Sequence, residues 1–230
     1  MSYVFPPAPP AALPIEGTDA VFPVARVFCV GRNYADHAIE MGHDPDREPP
    51  FFFMKPSFAV VPPGGGPLPF PPATEDLHHE IELVVALGAG GASIPVEGAL
   101  EHVFGYTIGL DMTRRDLQAK AKEMGRPWDM GKGFDRSAPM GMLRRVEDVG
   151  HPDAGAISLR VNGEVRQSGD LAQQIWKVPE TIAYLSTLVE LQPGDLIMTG
   201  TPAGVGRVMA GDVLEGEVEG VGALRVEYAQ

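Results

Sequence analysis

The sequence predicts an α+β fold rich in short β-strands, with a few short helices between them. Three observations carry that expectation. The 230 residues include 28 glycines and 23 prolines, which break the chain into many turns and leave room for short elements only. Apolar runs of strand length recur along it, as in Val27-Phe28-Cys29-Val30, Phe51-Phe52-Phe53-Met54, Ile81 to Leu87, Val103 to Leu110 and Asp195 to Thr199. Helical spacing is confined to short stretches after Tyr34, Pro95, Thr113 and Pro179.

Composition narrows the function before any motif is considered. A hydrophobic content of 44% and a charged content of 21% over this length suit a sizeable core. The formal net charge of -13, with no cluster of Lys and Arg, argues against a nucleic-acid partner. No apolar run approaches the roughly 20 residues that cross a bilayer, and the N-terminus lacks a basic region followed by an apolar core. The expectation is a soluble, cytoplasmic chain with no membrane partner. The single Cys29 excludes an internal disulfide and, inside an apolar run, reads as a buried thiol.

Residues 1–24 contain Pro6-Pro7 and Pro9-Pro10 and read as a proline-rich arm without chemistry, ahead of a single domain over residues 25–230. The strand that starts at Arg26 is closed by Gly31-Arg32-Asn33-Tyr34. A short helix is expected over Asp36 to Gly42, with His37 and Glu40 three residues apart, where their side chains meet. A carboxylate that fixes the tautomer of a histidine is what a general base needs, although a surface His-Glu pair has the same spacing. His43 to Pro50 is polar and turn-rich, either a mobile flap or an ordinary loop.

A turn-heavy connection from Pro62 to Pro72 leads into His79-Glu80-Ile81-Glu82-Leu83-Val84-Val85-Ala86-Leu87. Along a strand, Glu80 and Glu82 share one face while Ile81, Leu83 and Val85 take the other. Two carboxylates about 7 Å apart repel each other unless a cation lies between them, so this stretch is either a wall of a metal site or an exposed edge strand. His78 and His79 read as structural rather than as ligands. The strand Val103 to Leu110 delivers Asp111 next to a helix N-terminus, as a third metal ligand or as a turn residue.

Thr113-Arg114-Arg115-Asp116 fits a capping box opening a helix with Leu117, Ala121 and Met124 on one face. Gly131-Lys132-Gly133 reads as a loop whose glycines let backbone approach a ligand beside Lys132. Asn162-Gly163 between two strand-like runs signals a tight hairpin. Pro179 opens a helix with Ile182, Leu185 and Val189 at core spacing, stopped by Pro193-Gly194. Gly200-Thr201-Pro202-Ala203-Gly204-Val205-Gly206 offers backbone N–H groups and the Thr201 hydroxyl to a carboxylate, without the spacing of a nucleotide-binding loop. The C-terminal stretch reads as a closing hairpin.

The order of these motifs is more specific than any one of them. Cys29 to His37, Phe53-Met54-Lys55-Pro56, His79 to Leu83, Gly109-Leu110-Asp111-Met112-Thr113, Gly131 to Asp135, Val161-Asn162-Gly163 and Gly200 to Gly206 together resemble the fumarylacetoacetate hydrolase family, over about residues 25–228. The resemblance implies a mixed β-sandwich roll, often a homodimer. It also implies a divalent ion, Mg²⁺ or Mn²⁺, held by Glu80, Glu82 and Asp111. An oxygen-only ligand set suits these hard ions and disfavours zinc or copper. The fourth carboxylate of the larger animal members has no match here.

The same resemblance assigns the dyad His37–Glu40 and Lys132 to catalysis, and Arg32, Lys132 and Thr201 to a small anionic keto-acid substrate, with Arg115 and Gln118 lining the site. The implied reaction is hydrolysis of a carbon–carbon bond in an acylpyruvate, at its most specific 3-fumarylpyruvate to fumarate and pyruvate, which closes the gentisate route of aromatic breakdown. Decarboxylation of oxaloacetate and isomerisation of diene-dioates share the metal motif and stay open as alternatives. A non-catalytic metal- or metabolite-binding module is the alternative of another class.

Overall fold

The computed structural model describes residues 3–35 and 48–230, so the expected helix over Asp36 to Gly42, with His37 and Glu40, lies outside the described residues. Among the described residues the strands form five sheets. The largest contains β3 (Val27–Gly31), β4 (Phe51–Lys55), β7 (Ile81–Leu87), β8 (Val103–Leu110), β11 (Arg144–Arg145) and β14 (Leu196–Met198), in the order β11-β8-β7-β14-β3-β4. It is mixed, because β14 runs parallel to β3 and antiparallel to β7. A second sheet, β13-β12-β16-β17, is built from β12 (Ala156–Val161), β13 (Glu164–Asp170), β16 (Val213–Val218) and β17 (Gly222–Glu227). A smaller one, β15-β6-β9, joins β6 (Leu77–His79), β9 (Thr113–Arg114) and β15 (Gly206–Val208). Two pairs complete the set: β1 (Ala12–Pro14) with β2 (Val21–Pro23), and β5 (Val60–Val61) with β10 (Ala138–Pro139). This is the β-rich α+β architecture expected from the sequence.

The alternation of β7 sets the layers. Ile81, Leu83, Val85 and Leu87 enter one core with Ile157, Leu159, Leu214 and Leu224 of the second sheet. Val84 and Ala86 face the other way, into a core with Val27, Cys29, Met140 and Met198. Each fully buried Leu, Ile or Val contributes about 1.5–3 kcal/mol, so a strand packed on both faces is fixed in register. Every residue of Ile81–Leu87 is buried between β8 and β14, so the edge-strand reading does not hold.

Several local expectations change. In the proline-rich segment, residues 3–10 are exposed, but Leu13, Ile15, Phe22 and Val24 are buried in the second core. The expected boundary at residue 24 therefore has no counterpart in the packing. The pairs Leu13/Ile15 and Phe22/Val24 carry a period-two signal that the prolines obscured. The capping box is absent: Thr113 lies in β9, and the helix Arg115–Glu123 starts without a side-chain cap. The Asp116 carboxylate instead accepts from Leu117 N–H, the Thr74 hydroxyl and Glu75 N–H. The buried residue of this helix is Gln118, while Met124 is exposed, because the helix turns a polar face toward a charged cavity. Lys132 ends a short helix, Asp129–Lys132, where a loop was expected. The hairpin at Asn162-Gly163 is present, with φ of 52° and 84° as its two-residue turn requires. The helix Val178–Leu188 buries Ile182 and Leu185, and β16 and β17 form the closing hairpin.

Candidate active site

β7 and β8 are antiparallel neighbours with Ile81 opposite Leu110, so the start of one strand meets the end of the other. Asp111 N–H donates to the Glu80 carbonyl at 2.8 Å, which ties the two ends together. Glu82 continues the Val84/Ala86 face of β7, and Glu80 lies just before the strand. The result is a buried acidic triad: one oxygen each from Glu80, Glu82 and Asp111 lies within 4.8 Å of the other two.

Three cations press against this triad. Lys132 Nζ lies 2.7 Å from Glu80 Oε2 and 2.6 Å from Asp111 Oδ2. Lys55, at the end of β4, places Nζ 2.8 Å from Asp111 Oδ1 and also donates to the carbonyls of Met112 and Lys132. Arg115 donates to Glu80 Oε1 and, at 2.7 Å, to Gln118 Oε1. Burial alone would lower the Lys132 ammonium; the charges of Asp111 and Glu80 outweigh it and hold the group above its ordinary value.

Glu82 is the unbalanced member. Its Oε2 accepts from Gly200 N–H at 2.7 Å, and among the described residues no cation forms an ion pair with it. Burial, then the charges of Asp111 and Glu80, push its carboxyl well above the usual range. Asp111 Oδ1 is buried against the Lys55 ammonium, 2.8 Å away. A buried carboxylate without a cation beside it, as at Glu82, is costly unless a cation completes it. The donor set therefore fits a divalent cation, and its all-oxygen chemistry fits Mg²⁺ or Mn²⁺. With all three ionised, the carboxylates match Lys55, Lys132 and Arg115, and Arg32 and Lys122 line the same cavity, so a bound divalent ion leaves positive charge in surplus. Such a site recruits a chelating anion.

The triad lines a partly open cavity. Arg32, Arg115, Gln118, Lys132 and Thr201 all line it with the triad, so every expected site residue in the described part comes together. Two turns hold its rim. Asn33 Nδ2 donates to the carbonyls of Thr199 and Trp176, and Asn33 Oδ1 accepts from Trp176 N–H at 2.7 Å. Gly200, at φ 92°, fits against Asn33, where an added Cβ would stand 2.7 Å from the Asn33 Cβ. This locks the N–H that Glu82 uses. Arg32 itself takes φ 58° and lays its guanidinium 5.4 Å from the centre of the Phe51 ring.

Sequence reasoning gave no role to Lys55, Lys122, Trp128 or Gln167. Lys55 had a readable signal, a cation at the end of an otherwise apolar strand. Trp128, edge-on to Phe51 at 5.4 Å, and Lys122, 4.9 Å above its indole ring, carry none. Lys122 is lowered by burial and by Arg115, Arg32 and Lys132. His79 Nδ1 meets Gln167 Oε1 at 2.9 Å and His78 meets Asp76 at 3.0 Å; neither belongs to the acidic triad.

Known proteins are similar to this chain over most of its length. A solved fumarylpyruvate hydrolase from Pseudomonas aeruginosa, in complex with Mn²⁺ and pyruvate, is 56% identical, covers 99% of both chains and superposes with a TM-score of 0.97. The mitochondrial oxaloacetate tautomerase FAHD1 of Rattus norvegicus is 43% identical over 87% of this chain and 90% of its own length. The mitochondrial oxaloacetate decarboxylase of Dictyostelium discoideum is 39% identical over 85% of this chain and 89% of its own. The family model for the fumarylacetoacetate (FAA) hydrolase C-terminal region matches residues 26–228. The chain belongs to the fumarylacetoacetate hydrolase family.

Proposed function

We propose that this chain hydrolyses an acylpyruvate at a carbon–carbon bond, with 3-fumarylpyruvate, giving fumarate and pyruvate, as the favoured substrate and Mg²⁺ or Mn²⁺ as cofactor. One observation carries the reading: the buried triad and its three cations stand in a chain 56% identical, end to end, to a fumarylpyruvate hydrolase that binds Mn²⁺ and pyruvate. When bound, the ion supplies a Lewis acid that polarises the substrate's keto oxygen. Glu80, Glu82 and Asp111 would hold it and move no proton.

Lys132 is fixed between Glu80 and Asp111 and places a positive charge where the pyruvate half gathers negative charge as it leaves. Arg32 at the rim and Thr201 bind the substrate's carboxylate and keto oxygens, with Arg115 and Gln118 shaping the wall beside them. His37, paired with Glu40, deprotonates the water that adds to the distal carbonyl. The new C–O bond forms at that carbonyl, the C–C bond breaks, and a proton returns to the methylene carbon to give pyruvate. The cytoplasmic setting, the homodimer and the gentisate route belong to this proposal and rest on the family resemblance.

A second reading is favoured by the tautomerase and decarboxylase relatives: the same site acting on oxaloacetate. Only hydrolysis needs an activated water. Loss of ultraviolet absorbance is to be followed for fumarylpyruvate, a simple acylpyruvate and oxaloacetate, with Mg²⁺, with Mn²⁺ and with a chelator. Chelator-sensitive loss of fumarylpyruvate, abolished in His37→Ala with the ion still bound, supports hydrolysis. Consumption of oxaloacetate alone, unaffected by His37→Ala, replaces it with the second reading.

A further inference from the structure

We infer that Gln167 on β13 is a positioning residue that turns the Thr201 hydroxyl proton toward the cavity, so that this corner presents a hydrogen-bond donor to an anionic or carbonyl oxygen of the substrate. The inference rests on the keto-acid reading above. Gln167 is fully buried, and its amide has no freedom. Oε1 accepts from Ile81 N–H at 3.1 Å, and Nε2 donates to the Pro202 carbonyl at 2.8 Å. Both partners are backbone groups whose polarity cannot change, so the orientation of the amide is unambiguous. The remaining Nε2 proton goes to Thr201 Oγ1, at 2.8 Å.

Oγ1 therefore accepts on that side, and its own proton must point elsewhere. No acceptor for it exists among the described residues, while Thr201 lines the cavity with Glu82 and Lys132. The same logic reaches the far end of the amide: because Oε1 accepts from Ile81, His79 meets it at 2.9 Å with its proton on Nδ1. The turn cannot drift from β13, since a Cβ at Gly169 would stand 2.7 Å from the Pro202 Cβ. A threonine hydroxyl ordinarily donates or accepts as its surroundings ask. Here one lone pair is already taken by Gln167, a residue outside the cavity, and the proton is left to point away from it.

Gln167→Glu keeps the shape and reverses the polarity: a carboxylate cannot donate to Thr201, whose hydroxyl then turns back to it and leaves a lone pair facing the cavity. The test measures calorimetric binding of oxalate, a chelating dianion, to the Mn²⁺-loaded protein, with Mn²⁺ affinity measured separately. Thr201→Val and Gln167→Glu should each weaken oxalate by about tenfold or more, as loss of a hydrogen bond to a charged group does. Thr201→Ser should keep the affinity, Mn²⁺ affinity should be unchanged throughout, and the double variant should be no weaker than Thr201→Val. If Gln167→Glu does not fold, Gln167→Met carries the same cycle. Wild-type affinity in Thr201→Val, or two losses that add in the double variant, overturns the inference. A wild-type protein that binds Mn²⁺ but no oxalate sinks the keto-acid reading itself, and this inference with it.

Discussion

The spacing Glu-x-Glu of Glu80-Ile81-Glu82 recurs in the second sheet, at Glu215-Gly216-Glu217 on β16. The two pairs lie back to back, for a Cβ at Gly216 would stand 2.6 Å from Ile81 Cδ1. Their surroundings differ in every respect that matters. Glu215 and Glu217 face solvent on β16, with Glu215 opposite Arg160 on one side and Arg225 on the other. Water screens such charges, and the pair contributes little. Glu80 and Glu82 are buried beside Asp111, where carboxylates stay charged only with cations at hand. The spacing poses the question of a metal; burial and a third carboxylate answer it.

The largest effect is expected from removing a member of the buried triad. Glu82→Ala should abolish Mn²⁺ binding and lower turnover by about a thousandfold or more, whereas Glu217→Ala should change neither, as metal titration beside an activity assay would show. Lys132→Met should come next, because it leaves Glu80 and Asp111 without their shared cation. Metal-free protein should lose about 3–5 kcal/mol in urea denaturation, and the metal should restore part of it.

The pH dependence separates the two pairs further. The Glu82 carboxyl is raised in the folded protein, so between the unfolded and folded values the native state holds the extra proton. Metal-free protein should therefore lose stability as pH rises through that window, and Mn²⁺, which displaces the proton, should stabilise more at the upper end. Thermal melts across pH, with and without Mn²⁺, check this sign; a metal-free protein that gains stability over that window would contradict it. Gly216→Ala should cost about 1–3 kcal/mol, since the methyl must displace Ile81 and Ile108, yet leave metal affinity near that of the wild type. Glu215→Ala with Glu217→Ala should stay within about 0.5 kcal/mol of the parent.

The same contrast shows which features were legible in the sequence. Apolar runs of strand length and the turn residues located β3, β4, β7, β8, the Asn162-Gly163 hairpin and the closing hairpin, because each is a local property of its own residues. Glu80, Glu82 and Asp111 stood out as acids at strand ends beside apolar runs, and the order of the motifs joined them. The partners that neutralise them are set by tertiary contact. Lys55 reaches Asp111 across 56 positions of chain, and Gln167 reaches Ile81 across 86. The capping-box reading failed because the helix at Arg115 serves the cavity: Asp116 is claimed by Thr74 and Glu75, and Gln118 turns inward. Leu13, Ile15, Phe22 and Val24 were hidden by neighbouring prolines that, on their own, favour an extended arm.

The chemistry of the site depends on the buried triad holding a divalent ion. Calorimetric titration of Mn²⁺ into metal-free wild type and Glu82→Gln, which keeps the shape and removes the charge, addresses that directly. One saturable site per chain is expected in the wild type, with at least a hundredfold weaker binding in the variant. Equal affinity in the two proteins, or no saturable site in the wild type, would contradict it.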